Sequence, residues 1–142
     1  MRTARSRILC VDDDPVAVEW IRRALDSSKI IIEFTSLEGG RAALKLLYRE
    51  AFDLCIFDYA LPDMTGVQLC YLMRRIGYTV PIMIFTALNR RIDREKATAA
   101  GANEFLSKPD DLDAFSESVR RLLRVRRLIN TKNETIATLT TA

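Results

Sequence analysis

Five polar residues of this 142-residue chain stand at the ends of short apolar runs. Asp12 and Asp13 follow Ile8-Leu9-Cys10-Val11. Asp58 follows Leu54-Cys55-Ile56-Phe57. Thr86 closes the run from Pro81, and Lys108 comes directly after the stretch Asn103 to Ser107. Short apolar runs bounded by turn signals read as buried strands. All five residues then lie at strand carboxyl ends, where open α/β sheets bind their ligands. Three carboxylates converging on one crevice repel one another and call for a cation. An all-oxygen donor set suits Mg²⁺, which keeps several waters and is often completed by a phosphate. An amine and a hydroxyl beside the acids suit the oxygens of a phosphoryl group. The chemistry this points to is metal-assisted phosphoryl transfer with an aspartate as nucleophile. Each residue alone has a plainer meaning, since an acid after a strand commonly caps a helix or shapes a turn. Asp14, just before Pro15, fits that plainer role. It is the recurrence of polar groups at four strand ends that argues for a site.

The elements that must position these residues follow in chain order. Arg7 to Asp12 predicts a first strand. Pro15 suits the first turn of a helix, with Val16, Val18, Trp20, Ile21, Ala24 and Leu25 as its apolar stripe and an end near Ser27 and Ser28. Ile30 to Thr35 predicts a second strand, and residues 38–50 a helix with Ala42, Ala43, Leu46 and Leu47 inward. Asp53 to Phe57 is the third strand. Pro62 and Gly66 make the stretch after it a loop. Thr65 or Asp63 can cap the next helix, whose apolar side is Val67, Leu69, Cys70, Leu72 and Met73, ended by Gly77. Pro81 to Thr86 is the fourth strand, Arg90 to Ala100 a charged helix stopped by Gly101, and Asn103 to Ser107 the fifth strand. Asp110 or Asp111 opens the last helix. Strands and helices alternating with short connections give a parallel sheet covered on both faces. The expected fold is α/β, a doubly wound flavodoxin-like (βα)5 unit with a five-stranded parallel sheet in the order 2-1-3-4-5. Its switch point falls between strands 1 and 3.

Composition narrows the classes. The chain has no histidine, which removes Ser-His-Asp and Cys-His catalysis and His-ligated metals. Cys10, Cys55 and Cys70 lie in apolar runs without CxxC spacing and read as buried, reduced thiols. No apolar run reaches the roughly 18 residues of a transmembrane helix, and the run after the basic start is too short for a signal peptide, so a cytoplasmic protein is expected. The net charge of +3 is uneven: residues 1–118 carry −2 and residues 119–142 carry +5.

The sequence resembles the receiver domains of two-component response regulators, the family of the chemotaxis regulator. The resemblance covers roughly residues 6–125 and rests on Val11-Asp12-Asp13-Asp14-Pro15, on Asp58 with Pro62 and Gly66, on Phe85-Thr86-Ala87, and on Ser107-Lys108-Pro109. It implies that Asp58 accepts a phosphoryl group from a histidine kinase or phosphotransfer protein of a bacterial signalling system. Asp13 would bind Mg²⁺ directly, Asp12 mainly through metal-bound water, and the Ala60 backbone carbonyl would complete the ligands. Lys108 would pair with the acceptor carboxylate and then with the phosphoryl oxygens. Thr86 would bond a phosphoryl oxygen, and small Ala87 would leave room. Lys108–Pro109 resembles the family's cis peptide. Phe105, at the family's switch-aromatic position, would fill space vacated by Thr86 and change the face formed by the fourth helix, fifth strand and fifth helix. The chain would turn over no external substrate. Two rival readings stand beside this one. One is a degenerate receiver serving as a constitutive interaction module, against which the intact acids, Thr86 and Lys108 weigh. The other is an Asp-nucleophile phosphatase of the haloacid-dehalogenase type, whose second acid two residues on is here Ala60.

Residues 126–142 are expected to form a helical extension or linker. Leu122, Ile129 and Ile136 are spaced by seven, as are Val125, Lys132 and Leu139, a weak heptad with a lysine at one core position. A downstream target or output domain, and a homodimer through helices 4 and 5 or this extension, are the expected partners. The arginines from Arg120 to Arg127 read as a solvated face, since no base-reading element accompanies them. Ala60 and Leu88, two residues after Asp58 and Thr86, are apolar and cannot orient an attacking water. An acyl phosphate on Asp58 is therefore expected to outlast the timescale of seconds. Decay of labelled protein, followed by intact mass at neutral pH with Mg²⁺, checks this; a lifetime of seconds would refute it.

Overall fold

The structure, a computed structural model, describes residues 5–108 and 112–141, with all side chains there except those of Leu112, Ile129 and Thr141. The elements alternate throughout: β1 (Ser6–Val11), α1 (Pro15–Ser27), β2 (Ile32–Leu37), α2 (Gly40–Arg49), β3 (Leu54–Phe57), α3 (Gly66–Ile76), β4 (Ile82–Thr86), α4 (Arg91–Ala100), β5 (Glu104–Ser107) and α5 (Leu112–Thr141). All neighbouring strands pair in parallel, in the order β2-β1-β3-β4-β5. The Pro109 peptide and the residues that open the last helix, Asp110 and Asp111, lie outside the described residues.

A parallel sheet is buried on both faces, so its central strands carry no polar alternation. All four residues of β3 are buried. Successive side chains point to opposite faces, and the core divides accordingly. Leu9, Val11, Cys55, Phe57, Ile82 and Ile84 meet Ala43 of α2, Leu69 and Met73 of α3, and Ala97 of α4. Ile8, Cys10, Leu54, Ile56, Met83 and Phe85 meet Ile21 and Leu25 of α1 and Phe115, Val119 and Leu122 of α5. Reversing the winding direction between β1 and β3 puts α1 and α5 on one face and the other three helices on the opposite one.

Several boundaries differ from the sequence reading. β2 runs from Ile32 to Leu37, two residues later than Ile30 to Thr35. Lys29 turns the chain at φ 63°, and Ile31 serves as the carbonyl acceptor for Ser6 before the strand proper begins. The register Ser6↔Ile32 to Val11↔Leu37 then directs Ile32 and Phe34 toward α1 and α5. α2 starts at Gly40, because Gly39 is still extended and acts as the N-cap residue. Ala42 on α2 is exposed, as is Val16 at the outer end of α1. The other strand ends fall within one residue of expectation.

Thr65 caps α3 through a capping box with Gln68. Asp63, the other capping candidate, instead accepts from the Gly40 and Arg41 amides, both at 2.9 Å, and so caps α2. α5 keeps buried residues as far as Leu123, and beyond it Leu128, Ile136 and Leu139 are exposed. Thr131, Thr135 and Thr138 sustain this outer part by donating to the carbonyls one turn back. Of the heptad residues, Ile129 has no described side chain.

Arg74, whose role the sequence does not disclose, ties the α3–β4 and α4–β5 connections together. Its guanidinium donates to Gly101 O at 3.0 Å, Tyr78 O at 2.9 Å, Val80 O at 2.8 Å and Asn103 Oδ1 at 3.0 Å. Asn103 in turn accepts from the Ile82 amide. Removing this donor strands several carbonyls at once. Arg74→Ala should lower stability by about 2–4 kcal/mol, measured by urea unfolding; a loss below about 0.5 kcal/mol would mean that water replaces the arginine fully.

Candidate functional site

β1 and β3 are adjacent and parallel, so their carboxyl ends open onto the same edge. Asp12 is almost wholly buried, Asp13 is exposed, and the Asp58 side chain is 15% exposed. The Asp58 amide donates to Val11 O at 2.9 Å, which clips Asp58 to the end of β1. Carboxylate oxygens of Asp12, Asp13 and Asp58 come within 4.8 Å of one another.

Lys108 reaches into this group from the end of β5. Its Nζ lies 2.6 Å from Asp12 Oδ2 and 3.4 Å from Asp58 Oδ1. The sequence reading pairs Lys108 with the acceptor; in the structure its short bond goes to Asp12, and Asp58 is the looser partner. Asp12 Oδ1 accepts from the Asp14 amide, and Asp14 caps α1 through Val16 N. Burial pushes the Asp12 carboxyl above its ordinary range, with the Asp58 charge adding to the rise and the Lys108 bond opposing it. Burial lowers the Lys108 ammonium, but the Asp12 bond and both carboxylate charges outweigh it and leave the group above its ordinary value. Lys108 is therefore a cation throughout the neutral range. Burial likewise pushes Cys10 up to about 12, so its thiol near Asp12 stays protonated.

Thr86 is buried at the end of β4. Its carbonyl accepts from the Lys108 amide at 2.6 Å, and its hydroxyl faces the Leu88 amide at 3.4 Å. Ala87, Phe85 and Lys108 form one wall of a groove of about 320 Å³ whose other side is Val16, Ala17 and Trp20 of α1. Trp20, Phe85 and Phe115 form an aromatic cluster with centroids 5.2–5.4 Å apart, Trp20 stacked on Phe85 and edge-on to Phe115. Strand register places Phe105 beside Ile84 and Ser107 beside Thr86. Alternation puts Phe105 and Thr86 on the face that carries α3 and α4, where Phe105 packs half-buried against the core.

The loop after Asp58 is a narrow hairpin. Ala60 bridges Thr65, with the hydrogen bonds made by Gly66 N to Tyr59 O and Leu61 N to Met64 O. Ala60's own carbonyl takes no part in that bridge. A Cβ on Gly66 would lie 2.1 Å from the Asp58 carbonyl oxygen, so only glycine allows this approach. Tyr59, next to the acceptor, and Asp93 of α4 escaped the sequence reading. Asp93 has no exposed surface and takes two bonds from Arg90, at 2.9 and 3.1 Å. Burial pushes the Tyr59 hydroxyl above its ordinary range, and the neighbouring Asp93 carboxylate adds to the rise. The only sequence signal was the Arg90–Asp93 spacing of three, which is common on solvated helices.

The family model described as "Response regulator receiver domain" matches residues 8–120. The transcriptional regulatory protein TctD of Salmonella typhimurium is 30% identical over 118 residues, covering 83% of this chain and 52% of that protein. The heme response regulator HssR of Staphylococcus aureus is 33% identical over 133 residues, covering 93% of this chain and 58% of that protein. The chain thus spans about half the length of the curated relatives it matches. The structure of a CheY-like response regulator receiver domain protein from Methanospirillum hungatei superimposes with a TM-score of 0.79 at 23% identity, over 87% of this chain and 98% of that one, a likeness of fold. Among the described residues, no helix is long and apolar enough to cross a membrane.

Asp63 makes the acceptor hairpin's hold on α2 dependent on pH. The Arg41 and Gly40 amides keep its carboxyl below the usual carboxylate range. A depressed folded-state pKa contributes stability that is present above the ordinary value of 3.8 and is lost as pH falls through the depressed one. Asp63→Asn should therefore be less stable than wild type near neutrality, and the gap should close as pH falls to about 3 and below. Urea midpoints across pH check this; a gap independent of pH would refute it.

Proposed function

The chain belongs to the response regulator receiver family, and from that premise we propose that Asp58 is its phosphoacceptor in a two-component system. The observation that carries this reading is the convergence of Asp12, Asp13 and Asp58 within 4.8 Å, with Lys108 placed between two of them. A carboxylate oxygen of Asp58 attacks the phosphorus of a phosphohistidine on a histidine kinase or phosphotransfer protein. The P–N bond breaks, its electron pair returns to the imidazole, and an acyl phosphate forms. Such transfers depend on positioning and charge neutralisation. Lys108, already bonded to Asp12, is within reach of Asp58 and would follow the phosphoryl oxygens. The Thr86 hydroxyl oxygen accepts a long contact from Leu88 N, which leaves its proton available to a phosphoryl oxygen. The apolar groove between α1 and Lys108 would receive the donor's helical surface.

The donor set fits Mg²⁺: three carboxylates of clustered oxygens, no nitrogen or sulfur ligand, and a backbone carbonyl at Ala60 left outside the hairpin bridge. Asp13 and Asp58 would bind the ion directly, Asp12 mainly through water, and Ala60 through its carbonyl. When bound, the ion offsets the charge of the acids and of the incoming phosphoryl group. The phosphorylated unit is residues 6–125, with 126–142 an extension, a division supported by the loss of buried contacts after Leu123. The signal would leave through the face of α4, β5 and α5 to a downstream target or output domain, or to a second copy of the chain through α4 and α5 or the extension, in the cytoplasm.

Acetyl phosphate with Mg²⁺ tests the acceptor without the natural donor. Wild-type protein should be labelled, with labelling lost on chelation and in Asp58→Asn. Unchanged labelling of that variant refutes the assignment.

A further inference from the structure

Phe105 has no hydroxyl with which to report its position, yet its ring is engaged. The Arg94 guanidinium of α4 stands over it, 4.8 Å from the ring centroid. The same guanidinium donates twice to Asn89 Oδ1, at 2.8 and 3.2 Å. It also reaches Phe105 O at 3.4 Å and Ser107 Oγ at 3.3 Å. These partners belong to the two segments that deliver the polar groups of the site. Asn89 is three residues after Thr86, in the loop whose Leu88 amide faces the Thr86 hydroxyl. Ser107 directly precedes Lys108, whose amide bonds to Thr86 O. Arg94 itself is exposed and touches neither Asp58 nor the Lys108 side chain in any of these contacts.

A planar fork holds its acceptors in a fixed mutual geometry, whereas an ammonium on a flexible stem leaves them free to shift relative to one another. We propose that Arg94 is a positioning residue that clasps the Thr86 loop to β5, so that movement of either is carried to the other and to the Phe105 ring. This rests on the reading of Asp58 as phosphoacceptor. It adds to it a side chain that would transmit the event without a tyrosine. If Thr86 turns toward a phosphoryl oxygen, Leu88 and Asn89 are drawn with it. Through Arg94, that displacement pulls on Phe105 and Ser107. The cation also covers the outer side of the ring whose inner side packs on the core, so the ring cannot swing without disturbing the clasp.

Amide hydrogen exchange on the full chain, with and without acetyl phosphate and Mg²⁺, tests the clasp. In wild type, residues 87–90 and 104–107 should change protection together on labelling. Arg94→Ala should still be labelled at Asp58, because the residue lies outside the reacting groups. In the unlabelled variant, exchange at 104–107 should rise roughly two- to fivefold, the range an exposed cation–π contact is worth. On labelling, its response should stay confined to 87–90. Arg94→Lys keeps the charge and lacks the fork; it should recover some protection at Phe105 without restoring the joint response. Urea midpoints of the variants should stay close to wild type, which separates a lost link from general loosening. A joint response that survives in Arg94→Ala overturns the proposal, and so does a wild type in which the two segments respond independently. Wild-type protein that takes no label overturns the acceptor reading and the coupled movement with it, while the unlabelled comparison still reads whether the clasp exists.

Discussion

Carboxylates that repel one another are held together at one sheet edge, and much of the structure exists to keep them there. Two such charges within 4.8 Å oppose each other by roughly 3 kcal/mol at an effective dielectric constant of ~20. Asp12 is buried beside Asp58, and burial first, with the Asp58 charge adding to it, pushes its carboxyl toward the neutral form. One ammonium, Lys108, lies between them. Lys108 against three acids leaves the edge negative. The Asp12 and Asp58 carboxylates both keep the lysine charged.

Holding that arrangement requires a scaffold that does not yield. The acids follow directly on the adjacent strands β1 and β3, which lie between the two core clusters to which all five helices contribute. Gly66 allows the hairpin after Asp58 to fold back against the acceptor's own carbonyl. Asp63, at the tip of that hairpin, is anchored in the N-terminus of α2, a position that favours a negative charge. Each acid near the site therefore has a different task. Asp12 and Asp58 share a lysine, Asp14 caps α1, and Asp63 pins a loop. Only their positions in the fold distinguish them.

That distinction marks what could be read from the residues. The strand ends were legible because apolar runs of four or five residues stop abruptly at Asp12, Asp58 and Thr86, and strand burial is a property of contiguous sequence. The sheet order followed from alternation and short connections. What escaped depends on partners far away along the chain. Asp63 looks like a cap for the helix immediately after it, and nothing local says that its acceptors face α2, more than twenty residues earlier. Asp93 lies in a run of charged residues and reads as solvated, yet it is buried, with Arg90 folding onto it from three residues earlier. The sequence reading starts β2 two residues early because Ile30 and Ile31 have strand-forming side chains, whereas the chain turns through a left-handed Lys29 and pairing with β1 begins at Ile32.

α4 shows how the two kinds of attachment divide the molecule. α3 buries Leu69, Cys70 and Met73 in the core, whereas the buried residues of α4 are Asp93, Ala97 and Ala100. Two alanines contribute little apolar surface, so much of what fixes the amino-terminal half of α4 is polar: Arg90 with Asp93, and Arg94 with Asn89 and Ser107. The exposed Arg94 links can be exchanged for water or for another partner at small net cost, whereas a buried leucine cannot leave its cavity without a penalty of several kcal/mol. Elements with few buried apolar contacts populate the low end of a protein's local stability. The strands and α3 thus hold the acids rigidly, and α4, attached by interchangeable polar contacts beside Thr86 and Phe105, is the element that can change position without opening the core.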